Sequence, residues 1–339
     1  MSIYPKFIRT SLYYRKLLKL INADSLEIIY PKNVSSNLEN SDFTSNVKKK
    51  YFDYIHCNPD STQDMYGKND LAKFPMFSGG YINFGFWKGI NYKKEQITEE
   101  QRIQSSINLY QNIFERLVLN HTSKVLEVGS GQGNGCVLLL NQFPIKKIIG
   151  LDAVPQQTER SISKHATFLK ENPNVEFFTG LAEAIPFLNN SFSHLISIEA
   201  ASHFSSVKTF FCEASRVLEP NGSLLVASVF PKNKESLDKL KDLLPKYHVY
   251  MNDFTIDKTP EYTNNFHNVK ITSIGDNVWE GLDEWLKREE LKHSWSRLWL
   301  KAYQAGLLDY YVIEANTLSK EEELKNQNFE KLQISQRRL

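Results

Sequence analysis

Apolar positions near the start of the chain fall at helical spacing. Tyr14, Leu17, Leu18 and Ile21 repeat on one side of residues 3–22, which predicts an amphipathic helix. Its other side carries Lys6, Arg9, Arg15, Lys16 and Lys19, with no acid before Asp24. Residues 31–50 lose the period. They are rich in Ser and Asn, end in Lys48-Lys49-Lys50 and read as loop or linker. Residues 74–90, FPMFSGGYINFGFWKGI, are dense in aromatics and glycines without a clean period. Helical periodicity returns over 94–119, with Ile103, Ile107, Tyr110, Phe114 and Leu117 on one side.

From Lys124 onward short apolar runs alternate with helical segments. The runs predict strands at Val125–Gly129, Lys147–Asp152, Val175–Thr179, His194–Ile198 and Ser223–Val229, with helices at about 133–142, 155–170 and 206–218. Glu219-Pro220-Asn221-Gly222 reads as a turn before the fifth strand. Two further strands, Val269–Ile274 and Leu308–Ala315, flank a helix at about 278–305. This alternation predicts an α/β fold with a doubly wound, mostly parallel, seven-stranded sheet. The chain then divides into an N-terminal helical extension and linker over 1–73, a catalytic domain over 74–317 and a polar tail over 318–339. Within the domain, the mixed polar insertion at about 231–268 is expected to act as a lid on the sheet's carboxyl edge.

Composition narrows the setting. A formal net charge of +2 over 339 residues gives no reason to propose nucleic-acid binding. Cys57, Cys136 and Cys212 are odd in number and far apart, which is neither a disulfide framework nor a zinc spacing and suits a reducing, cytoplasmic setting. No histidine cluster suggests a metal mechanism. The basic N-terminal helix is a candidate for peripheral contact with an anionic membrane, against the plainer reading of a solvated basic face.

The chemistry is concentrated after the first strand, at Glu127-Val128-Gly129-Ser130-Gly131-Gln132-Gly133. Glycines there let the chain turn tightly and let a ligand approach the backbone. A dinucleotide fingerprint begun at Gly129 needs a glycine where Asn134 stands, and no Gly-Lys-Ser/Thr follows to make a phosphate loop. Glu127, within the strand end, can meet a ligand ammonium. Asp152, at the tip of the second strand, can accept from ribose hydroxyls. An amino-acid moiety and a ribose on one ligand fit S-adenosylmethionine. The alternative is an ordinary strand–helix turn with Asp152 as a cap.

These residues resemble class I S-adenosylmethionine-dependent methyltransferases over about 75–317. Glu127–Gly133 looks like the family's first motif and Asp152 like its ribose acid, with Ala153 beside it. Gly180-Leu181-Ala182-Glu183-Ala184-Ile185-Pro186-Phe187 resembles the adenine loop. Arg216-Val217-Leu218-Glu219-Pro220-Asn221-Gly222 resembles the stretch before strand five. Tyr81-Ile82-Asn83-Phe84-Gly85-Phe86-Trp87 and Ile198-Glu199-Ala200-Ala201-Ser202-His203-Phe204 resemble a narrower group. That group holds phthiotriol dimycocerosate and natural-product O-methyltransferases together with sterol and tocopherol C-methyltransferases. The resemblance implies S-adenosylmethionine as cofactor, bound by Glu127, Gly129, Ser130, Gly131, Gly133, Asp152, Ala153, Leu181, Ala182, Glu183 and Glu199. Leu181 departs from the pattern, since the family carries an Asp there; adenine is then left to the backbone of Leu181 and Ala182, or to Glu183.

The resemblance further implies His203 as a general base on a hydroxyl, or a histidine that orients substrate. Tyr81, Phe84 and Trp87 are candidates for an acceptor pocket or gate, with core packing as the alternative. The cysteines do not match the cyclopropane-synthase arrangement. The expected reaction is methyl transfer to a hydroxyl of a small-molecule or lipid-like acceptor. The rivals are C-methylation of an isoprenoid or sterol-like substrate and a non-catalytic S-adenosylmethionine-binding protein.

Overall fold

Strand one, β1 (Lys124–Val128), shows how the sheet is buried on both sides. Side chains alternate across a strand, so Leu126 and Val128 enter one apolar cluster and Val125 the other. Both faces are covered, and the strand reads as a nearly continuous apolar run, as expected of a parallel strand in an α/β sheet. The structure, a computed structural model, describes residues 64–93, 96–243, 251–288, 295–319 and 321. The expected helix at 3–22, the linker at 31–50, Cys57 and most of the tail 318–339 lie outside the described residues.

Seven strands form one sheet in the order β3-β2-β1-β4-β5-β7-β6. They are β1, β2 (Lys147–Asp152), β3 (Val175–Thr179), β4 (Phe192–Ile198), β5 (Leu218–Pro231), β6 (Phe266–Ser273) and β7 (Leu308–Thr317). The first five pair in parallel, and β7 runs antiparallel between β5 and β6. The helices are α1 (Glu99–Phe114), α2 (Asn134–Gln142), α3 (Pro155–Lys164), α4 (Ala166–Glu171), α5 (Val207–Val217), α6 (Lys234–Leu243), α7 (Thr259–Tyr262), α8 (Trp279–Leu286) and α9 (Leu298–Gln304). The chain leaves β1 toward β2 and β3 on one side, then returns to add β4 and β5 on the other. That reversal opens a crevice at the carboxyl ends of β1 and β4, the place where open α/β sheets bind ligands.

Several elements differ from expectation. The helix expected over 94–119 begins at Glu99, because Thr98 and Gln101 form a reciprocal capping box. Its most buried positions are Arg102, Ser105, Ser106, Leu109, Ile113 and Phe114, a face turned from the expected apolar stripe. Arg102 accounts for the rotation. Its fully buried guanidinium donates to the carbonyls of Met76 and Asn83 and to the hydroxyls of Ser105 and Ser106. The expected 155–170 helix is divided at His165 into α3 and α4. Within 278–305 the described residues carry separate helices α8 and α9. The Glu219–Gly222 turn is real but lies inside β5: five steps of β5, Leu218 to Ser223, match two steps of β4, Phe192 to His194. Asn221 takes a left-handed φ of 61° at that bulge.

The insertion at 231–268 packs partly against the turn after β4. Asn252 donates through its amide to the Ser202 carbonyl and through its side chain to the carbonyls of Ala201 and Phe204. Phe254 sits against Phe211, Phe230 and Tyr262.

Candidate active site

After β1 the chain turns through Gly129, Ser130, Gly131, Gln132 and Gly133 before α2. Gly131 has a φ of +53°, and a Cβ added there would meet nothing within 4 Å. It borders the pocket, so the missing side chain is space for a ligand. Gly133 serves a different end: a Cβ there would lie 2.4 Å from the Phe177 ring, so this glycine lets α2 approach β3. Gly133 is not among the residues bordering the pocket; Gly129, Ser130, Gly131 and Gln132 are.

Asp152 ends β2 with its carboxylate fixed by two amides, Gly131 N to Oδ2 at 2.9 Å and Val154 N to Oδ1 at 2.9 Å. Burial pushes this carboxyl up to about 6, against the pull of those two amides. It borders the pocket together with Ala153 and Val154. Across the pocket stand Leu181, Ala182 and Glu183. Leu181 is 53% exposed, unusual for a leucine. The Glu183 carboxylate accepts from the Ser205 hydroxyl at 2.8 Å and the Ser206 amide at 3.0 Å, so it caps the segment leading into α5.

Glu127 sits behind the pocket wall. It is 1% exposed, lies outside the pocket lining and accepts from Cys136 Sγ at 3.0 Å. The Tyr110 hydroxyl stands beside it, and Tyr110 does border the pocket. Burial pushes Glu127 up to about 7, opposed by its contacts with Cys136 and Tyr110. The strand's alternation turns this carboxylate onto the face covered by α1 and α2, away from the glycine turn.

Glu199 follows β4 with a left-handed φ of 54° and borders the pocket. Its Oε1 accepts from the Phe84 amide at 2.7 Å, and burial pushes the carboxyl up to about 8. Four residues on, His203 also borders the pocket, with Nε2 at 3.0 Å from the Tyr66 hydroxyl and the two rings edge to face.

The aromatic stretch divides. Tyr81 lines the pocket beside Tyr110, their ring centres 5.9 Å apart. Phe84 and Trp87 do not line it, which corrects their expected role as a gate. Trp87 is 1% exposed, donates its indole N–H to the Phe84 carbonyl and packs against Gly281 and Arg102. Phe84 packs on Trp279 and Trp299. The Arg102 clamp holds this stretch as core. Burial lowers Arg102 to about 10, so it stays charged at neutral pH.

Among the pocket residues that sequence reading did not assign are Tyr66, Tyr110 and Gln157. Tyr66 lies in the segment assigned to the N-terminal extension. Tyr110 was visible only as part of a helical stripe. Gln157 stands in the first turn of α3, 1% exposed, with its side-chain nitrogen unpartnered among the described residues. A buried amide without an acceptor costs about 1–3 kcal/mol, which a ligand oxygen or nitrogen can recover.

The residues present fit S-adenosylmethionine. The Gly131 space admits a ligand against the backbone, the Asp152 carboxylate on the pocket wall can accept from a ligand's hydroxyls, and the Gln157 nitrogen offers a buried donor.

Comparison with known proteins agrees. A family model described as a methyltransferase domain matches residues 126–226. The erythromycin 3''-O-methyltransferase of Saccharopolyspora erythraea is 28% identical over 244 residues, 68% of this chain and 77% of that protein. The phthiotriol/phenolphthiotriol dimycocerosates methyltransferase of Mycobacterium leprae is 34% identical over 131 residues, 39% of this chain; the match spans only 46% of that relative. A geranyl diphosphate methyltransferase solved with S-adenosylmethionine superposes with a TM-score of 0.61 at 12% identity, covering 70% of this chain and 99% of that one. That likeness speaks to the fold. With the glycine turn, Asp152 and the seven-stranded sheet in place, the chain carries a methyltransferase domain and the class I S-adenosylmethionine-dependent methyltransferase fold.

Proposed function

We propose that this chain methylates a hydroxyl of a small-molecule or lipid-like acceptor bound against Tyr66, Tyr81 and His203. The observation that carries this reading is the 3.0 Å contact between His203 Nε2 and the Tyr66 hydroxyl on the pocket wall. S-adenosylmethionine, when bound, supplies the electrophilic methyl group. The chain's own residues then have separable tasks. Asp152 accepts from the ribose hydroxyls, and the Gln157 nitrogen donates into the same pocket. Gly129, Ser130 and Gly131 line the amino-acid portion, with Tyr110 standing where Glu127 was expected. Ala153, Leu181 and Ala182 enclose the adenine. Leu181 offers no charged acceptor, so adenine is read by main-chain groups and apolar contact, and Glu183 stays with Ser205 and Ser206.

His203 takes the acceptor's proton as the oxygen attacks. The Tyr66 hydroxyl relays it, donating to Nε2 while receiving the acceptor's proton. An imidazole can take up and release a proton at neutral pH, which suits it to this task. Tyr81, Ile82 and Phe204 exclude water from the reacting centre. The natural-product and lipid substrates in the relatives' names support an acceptor of this class.

The basic segment 3–22 is the candidate for bringing the enzyme to an anionic lipid surface; no helix among the described residues is long and apolar enough to cross a membrane. The test of the reaction is incubation with methyl-labelled S-adenosylmethionine and a lipid and metabolite extract, followed by identification of the labelled product. A methyl ether is expected. Label on a ring or chain carbon replaces this reading with C-methylation.

A further inference from the structure

Residues 64–73 join the two ends of the pocket. At one end Tyr66 borders it and meets His203, just beyond β4. At the other, Arg160 of α3 donates to the Tyr66 carbonyl at 2.6 Å and to the Gly67 carbonyl. Asp70 then turns back to the glycine loop, accepting from Gln132 Nε2 at 2.8 Å, with Arg160 Nε 3.8 Å away. Asp70 adopts a left-handed φ of 47° and its side chain is only 9% exposed. The segment therefore runs from the end of β2 to the end of β4, on either side of the crevice. Gln132, one of its anchors, itself lines the pocket.

We propose that Asp70 and Arg160 are positioning residues that clasp segment 64–73 across the cofactor pocket as a strap, holding Tyr66 at His203 and retaining the cofactor until the strap lifts. This rests on the reading of the pocket as the S-adenosylmethionine site. Three features separate a clasp from ordinary packing. The anchors are polar and directional, with one guanidinium reaching two consecutive carbonyls in a fork that a lysine cannot reproduce. They converge on the two elements that cradle the cofactor, the glycine loop and α3. The strap also has separate apolar anchors in Met65 and Leu71, buried in the core, so loss of the clasp loosens the strap without unfolding the domain.

Catalysis needs the strap down, because the proton relay uses Tyr66. Exchange of S-adenosylhomocysteine for fresh cofactor needs it up. The clasp sets the balance between the two, as closing segments do in many enzymes.

The test is stopped-flow release of bound S-adenosylhomocysteine from the full chain, for wild type, Arg160→Gln, Asp70→Asn and the double variant. Each single change is expected to speed release about tenfold, the rate equivalent of ~1.4 kcal/mol. The double variant is expected to fall short of the product of the two, because both act on one clasp. Arg160→Lys is expected to be intermediate, and the unfolding temperature to change little. Release rates within about twofold of wild type in folded single variants overturn the proposal. Should Arg160→Gln not fold, Gln132→Ala removes the Asp70 link from the opposite side and is expected to give the same acceleration; an unchanged rate there also overturns it. A wild-type chain that binds no S-adenosylhomocysteine defeats the cofactor reading itself, a result distinct from unchanged release.

Discussion

Where β1 and β2 end, the pocket is lined by residues close together in sequence: the turn at Gly129–Gln132, Asp152 with the Gly131 and Val154 amides that hold its carboxylate, and Gln157. Where β4 ends, it is lined by side chains brought from distant parts of the sequence. His203 meets Tyr66 across 137 positions, and Glu199 meets the Phe84 amide across 115. The first rim follows from strand order and turn geometry, so it can serve any methyl acceptor. The second depends on which side chains converge, and the proposed acceptor contacts lie there. Fold resemblance informs the first rim and says little about the second.

The sharpest way to break this comparison is at His203. If the β4 rim does the chemistry, His203→Ala lowers turnover on the order of 10²–10⁴-fold, the usual contribution of a positioned base, with cofactor affinity nearly unchanged. The acidic limb of the pH–rate profile should vanish with it. A variant that turns over its acceptor at the wild-type rate removes the base, and weakened cofactor binding would merge the two rims.

Trp87 tests where the second rim ends. As core it should cost about 3–5 kcal/mol of stability when cut to Ala, measured by chemical denaturation, while the folded fraction keeps its affinity for S-adenosylhomocysteine. A stable variant with impaired acceptor binding restores the gate.

On the first rim, Asp152→Ala should weaken cofactor binding by about 1.5–3 kcal/mol by titration calorimetry. Unchanged affinity would leave Asp152 only its task of fixing the Gly131 and Val154 amides.

The smallest effect concerns pH. Burial holds Glu199 up to about 8 and Glu127 up to about 7. The folded chain then keeps protons that the unfolded chain has released, so stability falls as pH rises from the ordinary carboxylate range toward 8. His165 and His194, held below their ordinary value by burial, oppose this only below about 6.5. Between about pH 6.5 and 8 the unfolding temperature should therefore decline, and Glu199→Gln, which keeps an acceptor for the Phe84 amide, should make the decline shallower. Equal slopes would show that Glu199 is ionised throughout.

The same contrast explains what was legible in the sequence. Strands β2 and β3 fall on their expected residues, because bounded apolar runs leave little freedom of register. The place of the glycine turn and Asp152 on the pocket wall was legible because each follows directly on a strand. The direction of Glu127 depends on alternation within β1, and Cys136 and Tyr110 meet it only in three dimensions. The aromatics at 84 and 87 look like any pocket wall in sequence; the buried Arg102 that clamps them into the core sits on a helix whose pattern suggested another face. Tyr66 and Gln157 lie in polar surroundings with no local signal, and their meaning comes from the crevice alone.

The most direct test of the central claim is titration calorimetry of the full chain with S-adenosylhomocysteine and, separately, with NAD. Saturable binding of S-adenosylhomocysteine at one site per chain is expected, with no heat of binding from NAD. Binding of NAD without binding of S-adenosylhomocysteine would contradict it.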